Sequence, residues 1–183
     1  MLINKASYWL LVLVVSSALC FGIYKLWAHF MCAHNSVHPT GIYGNSMEKT
    51  LAIVKPDAVK AGHSGSIIKH IETAGFHIAG MKKIQLTQAQ AEQFYAVHKA
   101  RPFFGELVQF MISGPVVVMA LAKHDAIVAW RTLMGATNPA QADAGTMRKL
   151  YGTSVGENAT HGSDAPETAA QEVSFFFAGS DLL

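Results

Sequence analysis

Charge is scarce in this chain and unevenly spread. Of its 183 residues, 14% are Asp, Glu, Lys or Arg and 51% are apolar, a balance that is apolar for a water-facing domain. Residues 1–46 hold two lysines, Lys5 and Lys25, and no Asp, Glu or Arg, so the charge begins after Met47. The net charge of +2 is too small to argue for nucleic acid or an anionic membrane surface as partner. Cysteine is missing from residues 47–183, because Cys20 and Cys32 both precede them. That excludes a thiolate metal site and a cysteine nucleophile there, and leaves the redox compartment open. No group of His and carboxylates has metal-ligand spacing, so a protein-held zinc is not expected. The chain also lacks both GxxxxGK[ST] and GxGxxG. Phosphate, if bound, must therefore be held by side chains or helix ends.

What the first 46 residues contain is an uncharged run from Tyr8 to Tyr24 between the two lysines. It reaches the lower limit for spanning a bilayer, and a snorkelling Lys25 would let Leu26, Trp27 and Phe30 extend it. A signal peptide is the rival reading, given the small residues Ser16–Ala18; the lipoprotein version fits poorly because Leu19 precedes Cys20. A third reading is a start codon assigned too far upstream, since Met47 stands directly before the patterned part. Residues 1–32 are thus a membrane anchor or a mis-assigned start, 33–46 a polar, Gly- and Pro-containing linker, and 47–183 the domain.

Within the domain, Thr50–Val54 is a short apolar run ended by Lys55-Pro56-Asp57 and reads as a buried strand. Ser64–Ala74 carries Ile67, Ile68 and Ile71 at helical spacing, with Gly75 where a left-handed cap belongs. Phe76–Leu86 reads as a strand. Thr87–Lys99 opens with Thr87 and Gln90 in capping-box positions and reads as a helix. After Pro102, Phe103–Ile112 makes a second helix. Val116–Leu121 is a strand and His124–Met134 a helix. From 135 to 160 the pattern fails, which in a domain of this size points to function. Ala165–Phe177 closes the chain as a helix, with Asp164 and Glu167 as its cap pair. The order implies an α+β sandwich, a small antiparallel sheet with helices on one face.

Few residues are suited to chemistry on phosphate. Lys55 ends a strand, where a side chain is held rigidly, although a solvated lysine is the commoner outcome. Arg131 lies beside the apolar stripe of Ile127, Trp130 and Met134, placed either to cover the core or to meet an anion. Arg148 stands in the long loop, where a solvated side chain is the default. Among the nine histidines, His161 differs: it ends that loop, precedes a helix start, and has Gly162 beside it, which would leave its ring open to a bulky reactant. The helix start favours nearby phosphate. Glu172 stands beside the inward stripe of the last helix. A carboxylate bonded to one imidazole nitrogen fixes the tautomer and frees the other nitrogen as a nucleophile.

The segments TLAIVKPDAV (50–59), FYAVHKARPFF (94–104), ISGPVVVM (112–119), LMGATNP (133–139), AGTMRKLYG (144–152) and ENATHGSDAPETAAQE (157–172) run in one order over nearly all of residues 48–178. Taken together they resemble the nucleoside diphosphate kinase family, with the NxxHGSD stretch the most specific. The resemblance implies a ferredoxin-like α/β sandwich and a ping-pong reaction. The γ-phosphoryl of a nucleoside triphosphate, mainly ATP, passes to His161 as a pros-phosphohistidine and then to a nucleoside diphosphate. It further implies Glu172 and Ser163 behind His161, and Lys55, Arg131, Thr137 and Arg148 around phosphate. Asn158 joins Lys55 at the ribose hydroxyls, Phe103 is the shelf for the base, and Tyr95 stands behind Lys55. Mg2+ would ride on the substrate phosphates, since no carboxylate cage is evident. Stacking of roughly 1–3 kcal/mol that ignores base identity would give broad specificity.

This sequence departs from the family pattern at Lys149-Leu150, where a small residue and Asp commonly follow the loop arginine. A supporting contact to Arg148 is thereby in question. The short stretch after Phe177 leans toward a homotetramer rather than a hexamer. The need for ATP implies a cytoplasmic enzyme, or a membrane-tethered one facing the cytoplasm. A catalytically weakened nucleotide-binding regulatory protein of the same fold is the alternative.

Overall fold

Two apolar runs decide the architecture. In the computed structural model, which describes residues 47–183, β1 (Glu48–Val54) is buried continuously from Thr50 to Val54. β3 (Val116–Lys123) is buried from Val116 to Ala122. Alternate side chains of a strand point to opposite faces, so strands with no polar alternation require cover on both sides. The structure supplies it. Leu51 and Ile53 belong to one apolar layer, and Ala52 and Val54 to the other.

The sheet order is β2–β3–β1–β4, with β2 at His77–Ile84 and β4 at Thr160–Gly162. Every pairing is antiparallel. This is the ferredoxin-like arrangement. On one face lie α1 (Pro56–Lys60), α2 (Ser64–Thr73), α5 (Ala126–Met134) and α6 (Met147–Tyr151), contributing Ala58, Ile67, Ile71, Trp130, Met134 and Met147. On the other lie α3 (Gln88–Phe94), α4 (Phe104–Ile112) and α7 (Pro166–Phe176), contributing Ala91, Val108, Met111 and Val173. The expectation of helices on one face is therefore corrected. The two-sided burial of β1 and β3 rules it out.

Local signals explain most boundaries. Gly75, at φ +79°, ends α2: its N–H donates to Glu72 O and that of Phe76 to Ile71 O, the paired bonds of a left-handed helix stop. Thr87 and Gln90 form the reciprocal capping box of α3. That helix stops at Phe94 rather than running to Lys99. Beyond it, His98 N–H reaches Tyr95 O and Arg101 N–H reaches His98 O, three-residue bonds that tighten the chain ahead of Pro102. The start of α7 also differs from expectation. Pro166 occupies its first position, so the third helical position is Thr168, whose Oγ1 accepts the Ala165 N–H at 3.0 Å and donates to Asp164 Oδ1 at 2.7 Å. Glu167 is one place too early to close the box.

The patternless stretch is not structureless, since it contains α6 and runs directly into β4. Segment 1–32 and linker 33–46 lie outside the described residues. Among the described residues, no helix is long and apolar enough to cross a membrane.

Candidate active site

β4 is an edge strand of three residues, held to β1 by the pairs Ala52–Gly162, Ile53–His161 and Val54–Thr160. His161 stands opposite Ile53, so its ring emerges on the face covered by α3, α4 and α7. There its Nε2 lies 3.0 Å from Glu172 Oε2. Ser163, buried at the end of β4, donates its hydroxyl to the same carboxylate oxygen at 2.8 Å and accepts the Leu51 N–H at 3.1 Å. A carboxylate oxygen only accepts, so the ring proton belongs on Nε2 and the Nδ1 lone pair is left bare. Phe94 and Tyr95 brace the ring edge-on, at centroid distances of 5.4 and 6.1 Å. The His161 side chain keeps 21% of its surface exposed, enough for a reactant to reach it.

Gly162 has a different task from the one expected. It faces the opposite layer, where a Cβ would collide with the Trp130 indole and the Met134 methyl. The missing side chain lets Trp130 pack against the strand, with its Nε1–H donating to His161 O at 3.1 Å. Access to the imidazole comes from its own face. At the helix start beyond it, Pro166 has no N–H and the Ala165 N–H is taken by Thr168.

The cations gather where β1 ends. Lys55 is 8% exposed, and its Nζ donates to Asn158 Oδ1 at 2.6 Å. Burial, then the Arg148 charge, lowers its pKa from 10.5 to about 8, against a smaller opposing effect of Asp57. Asn158, also buried, passes its amide to Thr137 O at 3.1 Å. Arg148, on α6, donates to Gly135 O at 3.0 Å and Thr160 O at 3.2 Å. Its Nε is buried without a hydrogen bond among the described residues. Burial and then the nearby Arg131 hold its pKa below the ordinary arginine value. Lys55 feels the charge of Arg148 and Arg148 that of Arg131, and Asp57 offsets only part of it at Lys55, an excess of positive charge suited to an anion.

Tyr95 is buried against His161, and its hydroxyl makes no hydrogen bond among the described residues. Burial, then Glu172, raises its pKa, which keeps it a neutral donor. Its ring contacts are with His161, Phe94 and His98, while Lys55 lies over the Phe110 ring. Phe103 is 48% exposed at the head of α4, with His98 between it and Tyr95. Lys149, the departure beside Arg148, turns its Nζ toward Pro139 O and Ala140 O at 3.4 and 3.3 Å. The carbonyls of Gly135, Thr137, Pro139 and Ala140 are thus tied down by Arg148, Asn158 and Lys149. Among the described residues there is no cluster of His, Cys, Asp or Glu able to hold a metal ion.

Three participants escaped sequence reasoning. His98 reads as an ordinary helical histidine, yet it links Phe103 to Tyr95. Ala159 takes φ +64°, and the bond from Thr160 N–H to Asn158 O at 2.7 Å closes a three-residue γ-turn on it. That turn is rare and strained for a residue with a Cβ, by about 1–3 kcal/mol. Asp57 accepts the Ala159 N–H at 2.9 Å. An acid in the first turn of a helix signals a helix start, and nothing in the sequence marks Ala159.

Comparison with known proteins yields one family. The nucleoside diphosphate kinase family model matches residues 48–182. A nucleoside diphosphate kinase of Syntrophotalea carbinolica is 62% identical over 137 residues, covering 75% of this chain and 100% of that protein. One from Trichlorobacter lovleyi is 61% identical, covering 75% and 99%. Among solved structures, the Aquifex aeolicus nucleoside diphosphate kinase superposes with a TM-score of 0.74 at 42% identity, over 75% of this chain and 100% of that one. The Halobacterium salinarum enzyme in complex with CDP gives 0.73 at 39% identity, over 75% and 91%.

Proposed function

The chain belongs to the nucleoside diphosphate kinase family, a family of phosphotransferases, and from that premise we propose how its own residues carry phosphate. The observation that carries the reading is the single Glu172 oxygen taking hydrogen bonds from both His161 Nε2 and Ser163 Oγ. With the proton fixed on Nε2, Nδ1 attacks the γ-phosphorus of a nucleoside triphosphate. The N–P bond forms, the bond to the β–γ bridging oxygen breaks, and the diphosphate leaves. The phosphorylated ring carries a positive charge while Nε2 keeps its proton, and the Glu172 carboxylate offsets that charge. In the second half a terminal oxygen of another nucleoside diphosphate attacks the same phosphorus, and Nδ1 leaves with its lone pair restored. One site serving both halves gives ping-pong turnover.

Transfer of this kind needs positioning and positive charge more than further covalent machinery. Lys55, Arg131 and Arg148 supply the charge, and Thr137 offers its hydroxyl beside them. Asn158 and Lys55 face the ribose. Phe103, half exposed at the mouth, stacks on the base. Tyr95 supports the imidazole and is available to donate toward the transferred group. Mg2+, where bound, would be held by the phosphates of the substrate beside Lys55, Arg131 and Arg148, and would supply further positive charge there. The relative solved in complex with CDP supports a nucleotide as the ligand. The same reading carries a homotetramer, with the hexamer as the alternative, and a cytoplasmic location, where the triphosphate is made.

The test is labelling of the full chain with γ-labelled ATP. An acid-labile, base-stable phosphoprotein is expected, with label chased to GTP by GDP and abolished by His161→Gly. Label surviving that substitution unchanged overturns the assignment of the carrier. Tight ADP binding without exchange would point to a regulatory protein instead.

A further inference from the structure

The strained turn at Ala159 joins the two halves of the site. Asn158, on its near side, takes the Lys55 ammonium; two residues beyond lies His161. An alanine relaxes from positive φ unless its surroundings hold it there. The holding groups are identifiable. Ala159 O accepts the Lys55 N–H at 2.9 Å, and Ala159 N–H donates to Asp57 Oδ2 at 2.9 Å. The segment Lys55-Pro56-Asp57 thus grips both peptide groups of one residue more than a hundred positions away, with Pro56 fixing the spacing. Asp57 stands in the first turn of α1, yet the hydrogen bond its carboxylate makes among the described residues goes to Ala159 N–H and not to that helix. Its other oxygen is buried without a hydrogen bond among the described residues. The side chain is placed for the turn rather than for the helix.

We infer that Asp57 is a positioning residue for phosphoryl transfer: its carboxylate holds the γ-turn at Ala159 and thereby sets Asn158 and Lys55 against His161. The inference rests on the reading of His161 as the phosphate carrier. Loss of the brace lets residue 159 relax and swings the Asn158 amide away from Lys55, while β4 stays paired to β1 through Ile53. The reaction slows and the fold persists.

The test measures single-turnover phosphohistidine formation at saturating ATP in the full chain, with folding monitored by circular dichroism. The pH is held at about 6.5, so that Lys55 stays protonated even without the Asp57 charge. Asp57→Ala is expected to slow labelling about ten- to hundredfold, with a smaller change in KM. Asp57→Asn keeps an acceptor oxygen and should recover most of the rate. Adding Ala159→Gly to Asp57→Ala should recover part of it, because glycine occupies positive φ without a brace. Where Asp57→Ala does not fold, Asp57→Glu keeps the charge but displaces the acceptor, and a comparable loss is expected. A wild-type rate in Asp57→Ala or Asp57→Glu overturns the inference, as does a loss that neither Asn nor Ala159→Gly reduces. Label persisting in His161→Gly overturns the carrier reading and this inference together. Label lost in His161→Gly but undiminished in Asp57→Ala overturns this inference alone.

Discussion

Lys55 offers a sharp test because the same burial that equips it to meet phosphate works against the empty fold. Its pKa falls from 10.5 to about 8, a cost of about 3 kcal/mol for keeping the cation in place at pH 7, at roughly 1.4 kcal/mol per tenfold. Lys55→Met removes that cost and keeps an unbranched chain in the slot. It also strips Asn158 Oδ1 of its donor, and an unpartnered buried oxygen costs about 1–2 kcal/mol. The variant is therefore expected to be about 1–2 kcal/mol more stable than the parent at pH 7, although its phosphoryl transfer falls about a hundredfold or more.

The pH dependence fixes the cause. A group whose folded pKa lies below its unfolded value contributes stability that is present above the unfolded pKa and is lost as pH falls through the folded one. The parent should therefore gain stability from about pH 8 to 10.5, and the variant, lacking the group, should not. The advantage of Lys55→Met shrinks across that range and reverses near about pH 9 to 10. Paired urea melts at intervals from pH 7 to 10, without nucleotide, measure the difference directly. A variant less stable at pH 7, by an amount that does not change with pH, would refute the argument.

Two other outcomes follow from particular contacts. Phe103→Ala, at a half-exposed ring, should leave the melting temperature nearly unchanged. It should raise KM about five- to hundredfold for purine and pyrimidine diphosphates alike, and steady-state kinetics with GDP and CDP would expose a loss confined to one base. Gly162→Ala forces a methyl into the Trp130 indole and should cost about 1–3 kcal/mol of stability. It should also shift the tryptophan emission; an unaltered urea midpoint would deny the close approach.

How much was legible in the chain depended on whether the signal was local. The capping box at Thr87, the stop at Gly75 and the apolar runs of β1 and β3 are written in neighbouring residues, and their elements stand within a few positions of where the pattern puts them. The short strand β4 was not legible. Three residues between a polar loop and a helix have no periodicity, and only the pairing with Ile53 makes them a strand. The second helical layer has its mark in the unbroken apolar run of β1, which offers no polar face to water, whereas the order of elements alone suggests one covered face. His161 and Glu172 could be paired on sequence, since one ends the loop and the other lies on the next helix. The neighbours that depend on backbone torsion, Asp57 and Ala159, could not, because alanine carries no mark of positive φ.

The bond from the Trp130 indole to His161 O has a consequence for anyone who redesigns this domain. The imidazole points into one apolar layer while the carbonyl of the same residue is anchored from the other, where Trp130 rests edge-on against Phe76 at 6.4 Å. A repacked interior under α2 and α5 could match the parent in melting temperature and still tilt the indole. It would then re-aim a ring that it never touches. Selection for thermal tolerance alone would pass such variants, so substitutions at Phe76, Trp130 and Met134 have to be graded by transfer rate as well as by stability.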